Sequence, residues 1–217
     1  MTKPMEHSHP GPLQHHFTDM NQQRESAKFG MWVFLISELL LFGGLFAFYT
    51  IYRAWYPDMF LNAHVALDAR IGALYTVVLI CSSVTFALAI HTIREDNRQK
   101  ALALLGTTFV LGAVFLIVKG FEWAHHIELG QLPGKYYTFT GIKGSNPHIF
   151  FSAYYMMTGL HSLHVIAGLG VIAWLMVRTR RGDFSSYYFV PMEMTGLYWH
   201  LVDLIWIYLF PLFYLIG

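Results

Sequence analysis

The chain has 217 residues, of which 55% are hydrophobic and 12% are charged, and its formal net charge is +1. A soluble domain usually carries about 25% charged residues, so this composition indicates an integral membrane protein. The small net charge gives no electrostatic basis for a nucleic-acid partner, and the single cysteine, Cys81, excludes an intramolecular disulfide and any metal centre built on paired thiolates.

The N-terminal segment, residues 1–26, is polar and contains several histidines and prolines. It lacks the apolar core of a cleavable signal peptide, and its composition predicts a disordered arm. The arm histidines could bind a metal loosely, but a flexible polar tail explains them without one. We therefore divide the chain into this arm and a membrane domain over residues 27–217.

Five apolar segments follow, each longer than the roughly 18 residues that a spanning helix needs. They cover approximately residues 29–52, 71–92, 101–123, 147–177 and 194–216. Helices are expected because lipid cannot satisfy open backbone groups, and the short alternating segments of a transmembrane barrel do not occur. The sequence predicts an all-α membrane protein, a bundle of five transmembrane helices, numbered 1 to 5 in chain order.

The lysines and arginines predict the orientation of this bundle. Nine precede helix 1, connect helices 2 and 3 or follow helix 4, and the remaining five of the 14 lie toward the opposite side. Cytoplasmic segments carry the excess of positive residues, so the N-terminus is expected in the cytoplasm and the C-terminus outside.

Ionisable side chains within the predicted spans are costly in lipid and therefore mark candidate sites. Glu38 and Asp203 lie about 14 Å from the cytoplasmic ends of helices 1 and 5, and His164 and His161 lie about 20–24 Å along helix 4. His200 shares a helix face with Asp203, as His161 does with His164. We predict that these five residues form one buried polar cluster that joins helices 1, 4 and 5.

This cluster is compatible with several kinds of chemistry. Its histidines do not give the paired pattern of a dihaem membrane cytochrome. A metal site built from His161, His164, Asp203 and Glu38 is geometrically conceivable, and a proton relay uses the same types of group. The main interpretation is a hydrogen-bonded network between helices. Separately, Lys119, Glu122 and His126 follow one another at steps of three and four near the outer end of helix 3, which predicts a local ion pair.

Four stretches of the sequence occur in the order found in one known family. They are AKFGMW with ISEL (27–32 and 36–39), FEW around Glu122 (121–123), GLHSLHVIAG (159–168) and YWHLVDLIW around Trp199 (198–206). Together they resemble the cytochrome c oxidase subunit III family from residue 27 to the C-terminus. The chain has five spans where the familiar form of the family has seven, and the two missing helices form one wall of that family's lipid-holding cleft.

The resemblance implies a non-catalytic subunit of a haem-copper terminal oxidase, which reduces oxygen to water while its larger subunits pump protons. By this resemblance the chain itself carries no cofactor, and the haems and copper lie on subunits I and II. The resemblance also implies that the chain binds phospholipid and lies in the bacterial inner membrane. Glu38 matches the family's carbodiimide-reactive glutamate, and Arg178 matches a basic residue that touches lipid phosphate. Both are therefore expected near lipid.

The expected role is to stabilise the catalytic subunit, hold lipid beside it and support proton uptake at the cytoplasmic face. The alternatives are the related accessory protein of nitric oxide reductases, which shares these motifs, and a free-standing membrane haem protein or small transporter. The sequence does not distinguish cytochrome c from quinol as the electron donor.

Overall fold

The computed structural model describes residues 13–14, 17–142 and 146–216. Within these ranges the regular structure is helical, and five helices are long and apolar enough to cross a membrane, which confirms the predicted fold class. Predicted helices 1 to 5 correspond to α1, α3, α4, α5 and α6. The described residues form six α-helices: α1 (Met20–Trp55), α2 (Pro57–Ala63), α3 (Ala69–Arg94), α4 (Arg98–Glu128), α5 (His148–Arg181) and α6 (Val190–Phe210).

Helix α1 begins earlier than the sequence analysis expected. The side chain of Asp19 accepts a hydrogen bond of 2.8 Å from the backbone N–H of Gln22, and this cap lets the helix start at Met20. Residues 20–26, assigned above to a disordered arm, are therefore helical. The other predicted arm residues include 1–12 and 15–16, which carry the arm histidines and lie outside the described residues.

Helix α6 occupies the centre of the bundle, where it contacts α1, α3 and α5, while α3 and α4 pack most extensively on each other. Apolar surface gains little from association in lipid, so close packing of side chains holds such helices together. Trp199 of α6 is fully buried and lies against two glycines. A Cβ atom on Gly168 would lie 2.7 Å from the Trp199 ring, and one on Gly112 would lie 3.0 Å from it.

The end of α6 changes from an α-helix to a π-helical turn at Pro211–Leu215. Pro211 has no backbone N–H, so it cannot continue the regular ladder of hydrogen bonds. The hydroxyl of Tyr49 on α1 donates a hydrogen bond to the carbonyl oxygen of Leu212 in this turn. The turn buries Phe213 and Tyr214, which places the Tyr214 hydroxyl inside the bundle.

Two connecting loops are joined on the side of the bundle that is predicted to be cytoplasmic. Asp96, between α3 and α4, accepts hydrogen bonds of 2.7 Å from the backbone N–H and from the hydroxyl of Ser186, between α5 and α6. Because hydrogen bonds to a carboxylate favour its charged form, they lower the pKa of Asp96.

This loop contact predicts a pH dependence of stability. The pKa of Asp96 is lower in the folded state than in the unfolded state, where it is about 3.9. The contact therefore contributes its full stabilisation of the folded state above this unfolded pKa, and that stabilisation is lost as the pH falls through the lower folded pKa. Asp96 has a positive φ of 56°, which asparagine also tolerates, so Asp96→Asn changes the charge without straining the backbone. Asp96→Asn should lower the melting temperature at neutral pH, and thermal unfolding at decreasing pH should show this deficit shrinking below about pH 4.

The exposed residue Glu25 provides the control for this experiment. Glu25→Gln should leave the melting temperature unchanged across the same pH range. A deficit of Asp96→Asn that stays constant as the pH falls would contradict the proposed contribution of the Asp96 charge.

Candidate functional site

Two of the predicted site residues form a direct pair within the membrane-spanning part of the bundle. The Nε2 atom of His164 on α5 lies 2.9 Å from Oε2 of Glu38 on α1. Both side chains are mostly buried, with 16% and 15% of their surfaces exposed. The hydroxyl of Tyr198 on α6 donates a hydrogen bond of 2.8 Å to the backbone carbonyl of His164. This contact region therefore joins α1, α5 and α6.

The surroundings of His164 determine where its protons lie. Its Nδ1 atom is 2.8 Å from the carbonyl oxygen of Leu160, which can only accept a hydrogen bond, so Nδ1 carries a hydrogen. A hydrogen bond between Nε2 and Glu38 then requires one proton between them. That proton resides either on the imidazole, giving an ion pair, or on the carboxyl group, giving a neutral pair. The Glu38–His164 pair can thus hold one proton inside the membrane span.

His161, one turn earlier on α5, has different surroundings. It is fully buried, with ring centroids 5.5 Å from Phe115 on α4 and 5.3 Å from Trp206 on α6. Neither of its ring nitrogens has a hydrogen-bond partner among the described residues. The aromatic contacts place His161 in the packed core between α4, α5 and α6.

His200 and Asp203 on α6 face α3. The hydroxyl of Ser83 on α3 shares a hydrogen bond with Nδ1 of His200. Asp203 is 3% exposed and lies beside the same serine, although neither of its carboxyl oxygens makes a hydrogen bond of regular geometry with a described residue. The two residues form a polar contact between α6 and α3.

The five predicted site residues therefore lie in three places in the described part of the chain. Glu38 and His164 join α1 to α5, His161 lies in the aromatic core, and the His200–Asp203 face contacts α3. Residues three apart on a helix differ in direction by about 60°, so His161 and His164 point to different neighbours of α5. The predicted link of helices 1 and 4 occurs, but the five residues do not form one cluster, because His200 contacts helix 2 (α3) instead.

A second polar network surrounds Lys119 on α4, and only its ion pair with Glu122 was predicted from the sequence. Its Nζ atom donates hydrogen bonds to Glu122 (3.2 Å), to the Tyr154 hydroxyl (2.9 Å) and to the Tyr214 hydroxyl (2.7 Å). These use all of the N–H groups of the ammonium. Lys119 is only 2% exposed and Glu122 only 8%, so the charges are almost completely removed from solvent.

Three tyrosines complete the hydrogen bonding of Glu122. Tyr75 donates to Oε2 at 2.7 Å, and Tyr154 and Tyr214 donate to Oε1 at 2.7 and 2.6 Å. We call Lys119, Glu122, Tyr75, Tyr154 and Tyr214 the Lys119–Glu122 network. It connects α3, α4, α5 and the π-helical turn.

The spacing of Lys119 and Glu122 predicted a local ion pair, and the structure contains that pair within a network that includes three further elements. The third predicted member, His126, has Nε2 3.9 Å from Glu122 and Nδ1 2.6 Å from the side-chain oxygen of Gln131. The sequence signal for this network was a lysine within an apolar helix. The tyrosine partners could not be identified from the sequence, because the chain contains 13 tyrosines and the fold decides which of them reach Glu122.

The two remaining predicted residues have distinct contacts. Trp199 donates a hydrogen bond of 2.8 Å from Nε1 to the hydroxyl of Ser82 on α3. Arg178, at the end of α5, donates from Nε to Asp183 at 2.6 Å, and its guanidinium lies 5.2 Å from the centroid of the Trp174 ring. Arg178 remains 35% exposed, so it can make further contacts from the surface.

Groups of three or more His, Cys, Asp or Glu side chains that could hold a metal ion do not occur among the described residues.

Comparison with known proteins identifies the family. The family model for cytochrome c oxidase subunit III matches residues 10–217. The chain belongs to the cytochrome c oxidase subunit III family. This subunit III is 33% identical over 192 residues to cytochrome c oxidase subunit 3 of Thermostichus vulcanus, covering 86% of each chain. It is 30% identical to cytochrome bo(3) ubiquinol oxidase subunit 3 of Pseudomonas aeruginosa, covering 87% of this chain and 84% of that one.

A further relative combines two subunits in one chain. Subunit III is 31% identical over 205 residues to heme-copper oxidase subunit I+III of Aeropyrum pernix. The match covers 89% of this chain but only 23% of that longer protein. The comparisons and the five spanning helices establish a multi-pass membrane protein, subunit III of a haem-copper oxidase, that works in a complex with other oxidase subunits.

Proposed function

We propose that this subunit III is a scaffold without redox centres in the oxidase of a bacterial inner membrane. It stabilises a catalytic subunit, holds phospholipid and supports proton uptake on the cytoplasmic side, and its partners are subunits I and II. The observation that carries the proposal is the Glu38–His164 pair, which joins α1 to α5 within the span at a distance of 2.9 Å. The Aeropyrum pernix relative is named as subunit I+III in a single chain, and this supports direct contact between this chain and a subunit I.

The lipid part of the proposal is supported by the surroundings of Arg178. This arginine and Trp174, which is 46% exposed, lie together at the end of α5 that is predicted to be cytoplasmic. Tryptophan is enriched at the boundary between lipid headgroups and hydrocarbon, and arginine is enriched in the cytoplasmic segments beside the membrane. Because the guanidinium has five N–H donors and Asp183 accepts from Nε, further donors are available to a lipid phosphate.

The proton part of the proposal is supported by the depth and the exposure of Glu38. The residue lies about 14 Å from the predicted cytoplasmic boundary, and 15% of its side-chain surface remains exposed. A proton shared by a carboxyl group and an imidazole can move from one partner to the other with little rearrangement. The pair is therefore suited to a place beside a proton-uptake path in the neighbouring subunit.

Replacement of Glu38 tests this function. Glu38→Ala removes a hydrogen bond to a chargeable partner, which costs about 1.5–3 kcal/mol, and it should weaken retention of subunit III and shorten the turnover lifetime of the oxidase. Glu38→Gln keeps a hydrogen bond, because its amide N–H can donate to Nε2 of a neutral His164 whose hydrogen is on Nδ1, but it loses the titratable group, so it should retain the subunit while slowing proton uptake. Retention is measured on the purified complex, and proton uptake is measured during oxygen reduction.

Glu25, an exposed glutamate on the same helix, gives the matched control. Glu25→Ala should change neither retention nor lifetime. If Glu38→Ala also leaves both at the wild-type level, the pair does not hold the subunit in its functional position.

A further inference from the structure

A groove opens between α1 and α3 where both helices flank α6, near the ends predicted to be cytoplasmic. It has a volume of about 380 Å³, within the range of small-molecule sites. The residues that line it include Lys28, Trp32, Ile90, Arg94, Glu193 and Leu197. Because α1 and α3 are both long and apolar enough to span a membrane, a groove between them can open toward lipid.

The mouth of this groove carries excess positive charge. The guanidinium carbons of Arg24 on α1 and Arg94 on α3 lie 5.7 and 4.9 Å from the centroid of one ring, Phe189. Arg94 also pairs with Glu193, whereas exposed Lys28 has no ion pair among the described residues. The charged residues that line the groove, Lys28, Arg94 and Glu193, have a net charge of +1, and Arg24 beside the same Phe189 ring adds a further cation. An anionic ligand would compensate this charge.

The walls of the groove indicate what kind of anion fits. Trp32 is 59% exposed beside the basic mouth, which is the position that tryptophan takes at a headgroup boundary. Ile90 and Leu197 provide apolar surface along the wall. A free phosphate would use the cations alone, but a phospholipid uses the cations for its phosphate and the apolar wall for its acyl chains.

We propose that the groove between α1 and α3 binds an anionic phospholipid, with Lys28 and Arg94 at the phosphate and Trp32 beside the headgroup. Juxtamembrane basic residues attract anionic lipids in this way. The site is separate from Glu38, because Trp32 and Glu38 are six residues apart and point about 120° away from each other around α1. The inference rests on the proposed lipid-contacting role of the chain, but its test leaves Glu38 and Arg178 unchanged.

Photocross-linking inside the groove tests the proposal on the whole oxidase complex. The substitution Met194→p-benzoylphenylalanine places the reactive group on the lining, and the complex is reconstituted in equal amounts of phosphatidylglycerol and phosphatidylcholine. Phosphatidylglycerol should be the preferred adduct. Lys28→Gln should lower the ratio of phosphatidylglycerol to phosphatidylcholine adducts about fivefold, and Lys100→Gln, at an exposed lysine on α4, should leave it unchanged.

Three results would overturn the proposal. They are an adduct with another protein subunit, an adduct ratio that Lys28→Gln does not change, and an equal loss in Lys28→Gln and Lys100→Gln. A second measurement avoids the cross-linker: the phosphatidylglycerol content of the purified complex should fall in Lys28→Gln alone, and equal contents in both variants would also contradict the site. If Lys28→Gln has no effect while Glu38→Ala loses the subunit, the groove assignment fails and the proposed function stands.

Discussion

Replacing Lys119 with methionine is expected to destabilise the chain by about 3–5 kcal/mol, because it leaves the Glu122 carboxylate buried without its cation. Methionine has nearly the length of lysine, so the packing changes little while the charge and three hydrogen bonds disappear. The hydroxyls of Tyr154 and Tyr214 also lose the ammonium as a donor. The effect is measured by heating the purified oxidase and recording the temperature at which this subunit is released.

A double variant distinguishes loss of the ion pair from simple damage to the core. Glu122→Gln alone should also be strongly destabilising, since it leaves the Lys119 ammonium buried and uncompensated. Lys119→Met combined with Glu122→Gln removes both charges and should recover a large part of either single loss. Lys100→Met, at an exposed site on the same helix, should have no effect. Additive losses in the double variant would show that the two charges do not act as a pair.

The second large effect is expected for Trp199→Ala, which should cost about 3–5 kcal/mol because a fully buried tryptophan is replaced by a cavity. The variant also leaves the Ser82 hydroxyl without the indole N–H that donates to it. Because packing holds helices together in lipid, the loss should loosen the contact of α6 with α3 and α5. The melting temperature of the complex and the retention of subunit III should both fall.

Two glycines on α5 provide a matched test of the same packing from the other side. A Cβ atom at Gly168 would meet the Trp199 ring at 2.7 Å, whereas one at Gly170 has nothing within 4 Å. Gly168→Ala should therefore cost about 1–3 kcal/mol through overpacking. Gly170→Ala should be neutral or slightly stabilising, because alanine favours helix. Equal melting temperatures for these two variants would contradict the close approach of α5 to Trp199.

The fold was predictable because its dominant signal is local. Each spanning segment is recognisable from its own apolar length, and the five helices of the structure match the five segments. The start of α1 was not predicted, since the cap formed by Asp19 lies within a polar segment that has no hydrophobic pattern. Hydropathy therefore located the membrane spans but not the helical turns that extend beyond them.

The candidate site was less predictable because its contacts depend on tertiary structure. Helical periodicity shows which residues share a face of one helix, but it does not show which neighbouring helix that face meets. The pairing of Glu38 with His164 agrees with the predicted cluster, while His161 and the His200–Asp203 face lie in other surroundings. The tyrosines around Lys119 come from three distant parts of the chain, so no local pattern could assign them.

The most direct test of the central claim is to purify this chain from native membranes in mild detergent and identify the proteins and haems that accompany it. The claim predicts the catalytic subunits of a haem-copper oxidase, oxygen consumption by the purified complex, and loss of the Soret band from this chain once the partners are removed. A nitric oxide reductase as the partner, or a Soret band that remains with the isolated chain, would contradict the proposed role of a scaffold without redox centres.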